Sequence, residues 1–208
     1  MAESATHHDE ELIRLRNKLT DYEENLKKLE EQRENNIKNG FIHMDGYEIP
    51  FSERLIRDRI SLMLPTDFKE MEPRYAELKY PAYRNKESLI LTNEDMNVNF
   101  FFEFNGAEIK QEQIETVRDQ LYGLLLKLHP SMLTIEKAVI QTDTTKIGFF
   151  EIVTPALDKD IYNFMYIFGV GDRLVIASFN CLDDEKSNWQ PIIRQIAEGL
   201  EIKGEASK

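Results

Sequence analysis

The side chains that could act as nucleophiles or metal ligands are few and lie far apart along the chain. Cys181 is the only cysteine, and no histidine or basic residue adjoins it to lower the pKa of its thiol. We therefore interpret Cys181 as a small buried hydrophobic residue. The four histidines are scattered and lack the spacing of a metal site. The sequence predicts no catalytic residue, no metal ion and no bound cofactor.

Other short motifs have simpler explanations than chemistry. Gly169–Asp172 lacks the third glycine and the helical context of a dinucleotide loop, so it is typical of a turn. The run Asp183–Glu185 could bind a cation, but acidic residues before a helix also serve as caps. His43 and Asp45 have no third ligand nearby, and Glu103 lacks the second carboxylate that acid/base hydrolysis needs. We expect a protein that is not an enzyme.

Composition excludes several classes of partner. The chain has 208 residues and a formal net charge of −12, so its field repels nucleic acid and anionic lipid surfaces. No run approaches the roughly 18 apolar residues of a membrane-spanning helix. The acidic start does not resemble a secretory signal, and a single cysteine favours a reducing compartment. These features predict a cytoplasmic protein that neither binds nucleic acid nor inserts into membranes.

A heptad stripe predicts a long N-terminal helical arm over residues 9–40, which begins near Asp9 and ends at Gly40. After its last leucine the stripe continues with two polar positions, Arg33 and Asn36. Polar residues in the seam weaken a homodimeric coiled coil, so we expect weak self-association at most. The stripe either binds a helix of another protein or folds back on its own domain. Its candidate partner-binding residues are Leu12, Leu15, Leu19, Tyr22, Leu26 and Leu29.

The rest of the chain predicts a hairpin followed by an α+β domain. The Asp45-Gly46 pair between alternating apolar residues is typical of a two-residue hairpin turn. Short polar turns between later strands require antiparallel pairing, and Lys146–Thr154, apolar on both faces, indicates a central strand covered by helices on both sides. Long helices are predicted from Gln111 to His129 and from about Ser187. Further strands are predicted at 60–64, 89–91, 98–104, 134–142, 161–169 and 173–181.

The predicted strands 98–104 and 161–169 carry aromatic residues at every second position, which places the rings on one face of each strand. The face either forms the core beneath the helices or stays partly open as a groove for a hydrophobic segment or an apolar ligand. Large aromatic residues dominate protein cores, which favours the first alternative, whereas the tyrosine hydroxyls are compatible with a groove because they require a polar or wet edge. The candidate groove residues are Phe100, Phe102, Phe104, Tyr162, Phe164 and Tyr166.

The order of these elements resembles the PsbP-like fold, shared by the bacterial DcrB-like proteins and the Ran-binding Mog protein. The resemblance is carried by Ile60–Phe68, Lys79-Tyr80-Pro81, Leu89–Asp95 and the terminal helix Trp189–Ile202 after Asn180-Cys181. It implies an antiparallel sheet covered by helices, and a bacterial protein that binds other proteins as an adaptor or chaperone. No catalytic motif is transferred by this resemblance.

Together these observations predict a non-catalytic protein-interaction module that binds a partner protein through the arm, the aromatic face or both. The alternatives are a carrier of a small apolar ligand and an immunity-type inhibitor of a toxin. The predicted organisation is a start at 1–8, the arm at 9–40, a hairpin linker at 41–58, the PsbP-like domain at 59–202 and a tail at 203–208.

Overall fold

The computed structural model describes residues 13–20, 22, 26–27, 30, 34–80 and 88–204. The first helix, α1, covers the helical residues 13–20 and the helical positions 22, 26, 27, 30 and 34. The other helices are α2 (Pro73–Lys79), α3 (Ile114–Leu128) and α4 (Lys186–Glu198). The strands are β1 (Phe41–Met44), β2 (Tyr47–Ile56), β3 (Ile60–Pro65), β4 (Lys69–Glu70), β5 (Leu89–Thr92), β6 (Asn99–Glu108), β7 (Leu133–Gln141), β8 (Lys146–Thr154), β9 (Ile161–Val170), β10 (Arg173–Leu182) and β11 (Glu201–Ile202).

The strands form two antiparallel sheets. The large sheet has the order β4-β5-β6-β10-β9-β8-β7, and the small sheet has the order β1-β2-β3-β11. The α+β architecture with antiparallel sheets covered by helices is therefore confirmed. The long N-terminal helix is not confirmed, since the longest unbroken helical run described there is residues 13–20.

The large sheet is covered on both faces. Its inner face packs against α4 and the small sheet in the main core, which includes Phe164 and Trp189. Its outer face packs under α3, around Ile114 and Phe150, and under α2, around Ala76. Strand β8 contributes side chains to both faces, as its two-sided apolar pattern predicted.

Gly148 on β8 lets α3 approach the sheet closely. A Cβ atom at this position would lie 3.0 Å from Cγ2 of Ile114 and 3.2 Å from Cβ of Arg118. Both contacts are tighter than packed side chains normally make, so a larger residue here would push α3 away. The absence of a side chain at Gly148 therefore sets the distance between α3 and the outer face.

The segment 41–58, predicted as a linker, is part of the folded body. Asp45 and Gly46 form the turn between β1 and β2 with φ values of 51° and 82°, and β2 then continues to Ile56 and pairs with β3. Ile42 is fully buried, and Phe51 is almost so. Since these side chains lie in the main core, the predicted domain boundary at Arg59 does not separate two packing units.

The C-terminal elements differ from the sequence prediction in two details. Helix α4 begins at Lys186, and Glu185 precedes it without a side-chain capping bond. Gln190, in the first turns of α4, donates to the Glu151 carboxylate. The chain after α4 forms the short strand β11, where Glu201 and Ile202 pair with β3. This pairing joins the end of the described chain to the small sheet.

Candidate protein-interaction surface

The apolar stripe of α1 is exposed wherever the structure describes it. Leu15, Leu19 and Tyr22 keep 58%, 61% and 62% of their surface accessible, and Leu26 keeps 41%. Leu12 and Leu29, the outer members of the predicted seam, lie outside the described residues. Among the described members of the stripe, none is covered by the body of the protein.

The base of the arm is held to the body by amide side chains. The Asn35 side chain bonds both backbone polar groups of His43 at the edge of β1, accepting from N at 2.7 Å and donating to O at 2.6 Å. Gln195 on α4 accepts from the backbone N of Ile37 at 3.1 Å and donates to the backbone O of Asn35 at 3.0 Å. These bonds fix the point at which the chain leaves the arm and enters the body.

The aromatic face proposed as a groove lies in the core. Phe100, Phe102, Tyr162, Phe164 and Tyr166 are each at most 4% exposed. Ring packing fills the space above them: the centroids of Phe149 and Phe164 are 4.8 Å apart, and those of Phe179 and Trp189 are 5.5 Å apart. Of the six candidates only Phe104 is partly exposed, so this face is not an open groove.

The tyrosine hydroxyls on this face find polar partners inside the protein. Tyr166 donates to the backbone O of Ile193 on α4 at 3.2 Å, and Tyr162 donates to Oε2 of Glu151 at 2.9 Å. These two tyrosines therefore do not need the wet edge expected from the sequence. A buried carboxylate and a helix carbonyl supply what water would have supplied.

Glu151 is the centre of a buried polar cluster that the sequence analysis missed. Its side chain is fully buried on β8, and Oε2 also accepts from Nε2 of Gln190 at 2.6 Å. Arg194 on α4 bridges Oε1 of Glu151 and Oε2 of Glu136. A lone carboxylate in an otherwise apolar strand was the available sequence signal, because a buried charge requires a partner.

This cluster ties α4 to the sheet, because Gln190 and Arg194 of α4 both bond Glu151 of β8. Burial, and then the charge of Glu151, raise the pKa of Tyr162 far above its ordinary value. Burial likewise raises the pKa of the Cys181 thiol, aided by the neighbouring acidic residues. Tyr162 thus remains a hydrogen-bond donor and Cys181 a thiol near neutral pH, which suits structural roles better than catalytic ones.

The other residues considered for chemistry are dispersed. Asp183 pairs with Lys186 at 2.9 Å, Asp184 with Lys159 at 2.7 Å, and Glu185 accepts from Nδ2 of Asn97 at 3.0 Å. Each acidic residue of this run therefore has a separate partner. Within the part of the chain that the structure describes, no three His, Cys, Asp or Glu side chains come together as a metal site requires.

A surface cavity of about 410 Å³ lies beside β4, at one edge of the large sheet. Its walls include the half-buried Tyr75 and Met96 and the buried Met71. Asn93 supports the neighbouring loop by accepting from the backbone N of Val98 at 3.1 Å. The charged residues that line the cavity are Asp67, Lys69, Glu70, Glu72 and Glu94.

The fold is shared with proteins of known structure. Cyanobacterial PsbP (CyanoP) from Synechocystis sp. PCC 6803 superimposes with a TM-score of 0.54 at 8% sequence identity, and the match covers 74% of this chain and 92% of that one. The PsbP-like resemblance read from the sequence is thereby confirmed as a resemblance of fold. At this identity it shows the fold alone.

Two further structures match at lower similarity. LpqN of Mycobacterium tuberculosis, involved in cell envelope biogenesis, has a TM-score of 0.41 at 15% identity over 74% of this chain and 86% of that one. The type VI secretion immunity protein TplEi of Pseudomonas aeruginosa has a TM-score of 0.41 at 10% identity over 88% and 84%. No family model and no curated protein matches the sequence. Among the described helices, none is long and apolar enough to cross a membrane.

Proposed function

We propose that this protein is a non-catalytic protein-interaction module whose N-terminal arm binds a helix of another protein. The observation that carries the proposal is the exposure of the regularly spaced Leu15, Leu19, Tyr22 and Leu26. Exposed apolar side chains in a contiguous stripe are typical of interaction sites rather than of free surface. Their alternating spacing of three and four residues suits the groove between helices of a coiled coil.

The anchored base of the arm supports this role. The bonds from Asn35 and Gln195 hold the chain at the junction between arm and body. A helix that is positioned before binding loses less conformational freedom when the partner arrives. The body then serves as a rigid platform, and the α1 stripe serves as the contact surface.

Two observations support a role without catalysis. The Glu151 carboxylate, the most deeply buried charge of the described body, is bonded by Tyr162, Gln190 and Arg194. The raised pKa of Cys181 keeps its thiol from acting as a nucleophile near neutral pH. The buried, unpaired state of Cys181 also suits a reducing compartment, and on that ground we propose a cytoplasmic location.

The test is to recover the partner with the full-length protein and with a variant of the stripe. Leu19→Asp together with Leu26→Asp places two charges in the stripe. Asn17→Asp together with Thr20→Asp adds the same charge on the opposite face of the heptad and serves as the matched control. Proteins recovered from the native cells are identified by mass spectrometry, and thermal unfolding of each variant is measured in parallel.

We expect the wild-type protein and the control to recover the same partner and the stripe variant to lose it. The melting temperature should hardly differ among the three, because the substituted side chains are exposed. Recovery of the partner by the stripe variant would contradict the proposal. A large drop in its melting temperature would show instead that the stripe belongs to the core.

A further inference from the structure

The described start of α1, residues 13–20, has a charge opposite to that of the protein as a whole. Residues 13–20 include Arg14, Arg16 and Lys18 and no acidic residue, in a chain whose net charge is −12. All of residues 13–20 are exposed. The described start of the arm is therefore a cationic segment carried by an acidic protein.

The cations of this segment bracket its apolar centre. Leu15 and Leu19 lie one helical turn apart on the same face. Arg16 and Lys18 occupy the two positions that flank this face in the heptad, one on each side. The surface that α1 presents thus has an apolar middle and a cationic border.

The cavity beside β4 has the complementary pattern. Its apolar wall is formed by Tyr75, Met71 and Met96, and the charged residues that line it are four carboxylates and one cation: Asp67, Glu70, Glu72, Glu94 and Lys69. Its volume of about 410 Å³ lies within the range of pockets that bind ligands. The net charge of this lining is negative, since four carboxylates outnumber Lys69. An apolar wall with a negative border suits the apolar middle and cationic border of α1.

Within one chain these two surfaces are apart, since every described residue of α1 is exposed. We propose that α1 of one copy docks with its Leu15 and Leu19 face in the β4 cavity of a second copy. The proposal rests on the proposed function, because the same α1 face then binds either another copy or the partner. Docking between copies would keep the stripe covered until the partner displaces it.

Charge complementarity makes this association sensitive to salt. Pairs between exposed charges are strengthened at low ionic strength and screened when the Debye length falls from about 10 Å at 0.1 M salt to about 3 Å at 1 M. The apolar contact is too small to hold two copies together by itself. We therefore expect copies to associate at low salt and to separate at high salt.

The test uses two charge-reversed forms of the full-length protein. In the first, Arg14, Arg16 and Lys18 are each changed to Glu; in the second, Asp67, Glu70 and Glu94 are each changed to Lys. Sedimentation velocity is measured for each alone and for an equimolar mixture. The substituted residues are exposed, and circular dichroism verifies that both forms are folded.

Each form alone should associate at least roughly tenfold more weakly than wild type, since its arm and its cavity then carry charge of the same sign. The mixture should recover association, because each arm again meets a cavity of opposite charge. A control in which Glu48, Asp143 and Asp158 are changed to Lys reverses exposed charge away from the cavity and should behave as wild type.

The proposal is overturned if the second form associates as strongly as wild type, which would indicate pairing between two arms. It is also overturned if the mixture stays monomeric, or if wild type is monomeric at low salt. These results leave the proposed function intact when the Leu19 and Leu26 variant still loses the partner. If that variant keeps the partner while the mixture associates, the proposed function fails and the docking between copies stands.

Discussion

The stripe of α1 and the aromatic face of the large sheet are both regular apolar patterns, but the described stripe is exposed to solvent and the aromatic face is buried. Leu19 on the stripe is 61% exposed, whereas Phe164 on the aromatic face is fully buried. Both patterns were candidates for binding a partner. Periodicity therefore identifies an apolar face, while the elements that fold over it decide whether the face is core or contact surface.

The covering element is α4 in the case of the aromatic face. It follows the central strand β10 in the chain and places Trp189 and Ile193 over the rings. In the described part of the chain, the base of α1 is held to the body at Asn35, whose side chain donates to His43 and whose backbone O accepts from Gln195 of α4. A face becomes core where the chain supplies a second layer, and the described part of α1 receives none.

The largest expected effect is the difference in the free energy of unfolding between a truncation in the aromatic face and one in the stripe. Phe164→Ala should lower the free energy of unfolding by about 3–5 kcal/mol, because it opens a cavity between Phe149 and Tyr166. Leu19→Ala, the matched truncation on the stripe, should change it by less than about 0.5 kcal/mol. Denaturant unfolding of both variants measures the difference, and similar losses would show that the stripe also belongs to the core.

A smaller effect tests whether the ion pair between Glu151 and Arg194 holds α4 over the aromatic face. Arg194→Met removes the cation that bonds Glu151 and Glu136. Glu151 keeps its bonds from Tyr162 and Gln190, so we expect a loss of about 2–3 kcal/mol rather than the full cost of an unpaired charge. Adding Glu151→Gln should recover part of this loss, because the buried group is then neutral.

The control for the Arg194 variant is an ion pair outside the core. Lys146→Met removes a pair with Glu115 whose side chains are partly exposed, and it should cost under about 1 kcal/mol. Denaturant unfolding at constant pH compares the variants. Equal losses for Arg194→Met and Lys146→Met would mean that the Glu151 cluster contributes no more than an ordinary surface pair.

The smallest effect concerns the junction between the two regions. Gln195→Ala removes the acceptor of the Ile37 amide and a donor to Asn35, at a cost of about 1 kcal/mol. Hydrogen exchange at the Ile37 amide should accelerate while amides of β9 stay protected. Glu198→Ala is the control, because Glu198 lines the same surface cavity as Gln195 and Ile37. Unchanged exchange at Ile37 in the Gln195 variant would show that this bond does not hold the junction.

Much of the fold could be predicted because its signals are local. The turns at Asp45-Gly46 and around Gly171 require positive φ, and the structure shows it at all three residues. Strand β8 has the bounds predicted from its two-sided apolar pattern, and α3 lies within the predicted helix. These elements depend on residues that are neighbours in the sequence.

The parts that escaped prediction depend on residues far apart in the chain. Strand β11 is two residues long and exists because it pairs with β3, more than a hundred residues earlier. Strand β4 is equally short and exists through β5. No local propensity marks such strands, because their hydrogen bonds belong to the partner strand.

For the candidate surface, local sequence sets the spacing of the α1 stripe, its cationic flanks and the alternation that puts the aromatic rings on one face. These follow from helix and strand geometry, which each segment carries alone. Three features depend on how distant segments pack: α4 buries the rings, Glu151 contacts Tyr162 and Arg194, and the described stripe stays exposed. Burial is a property of two surfaces in contact, and one segment of sequence specifies only one of them.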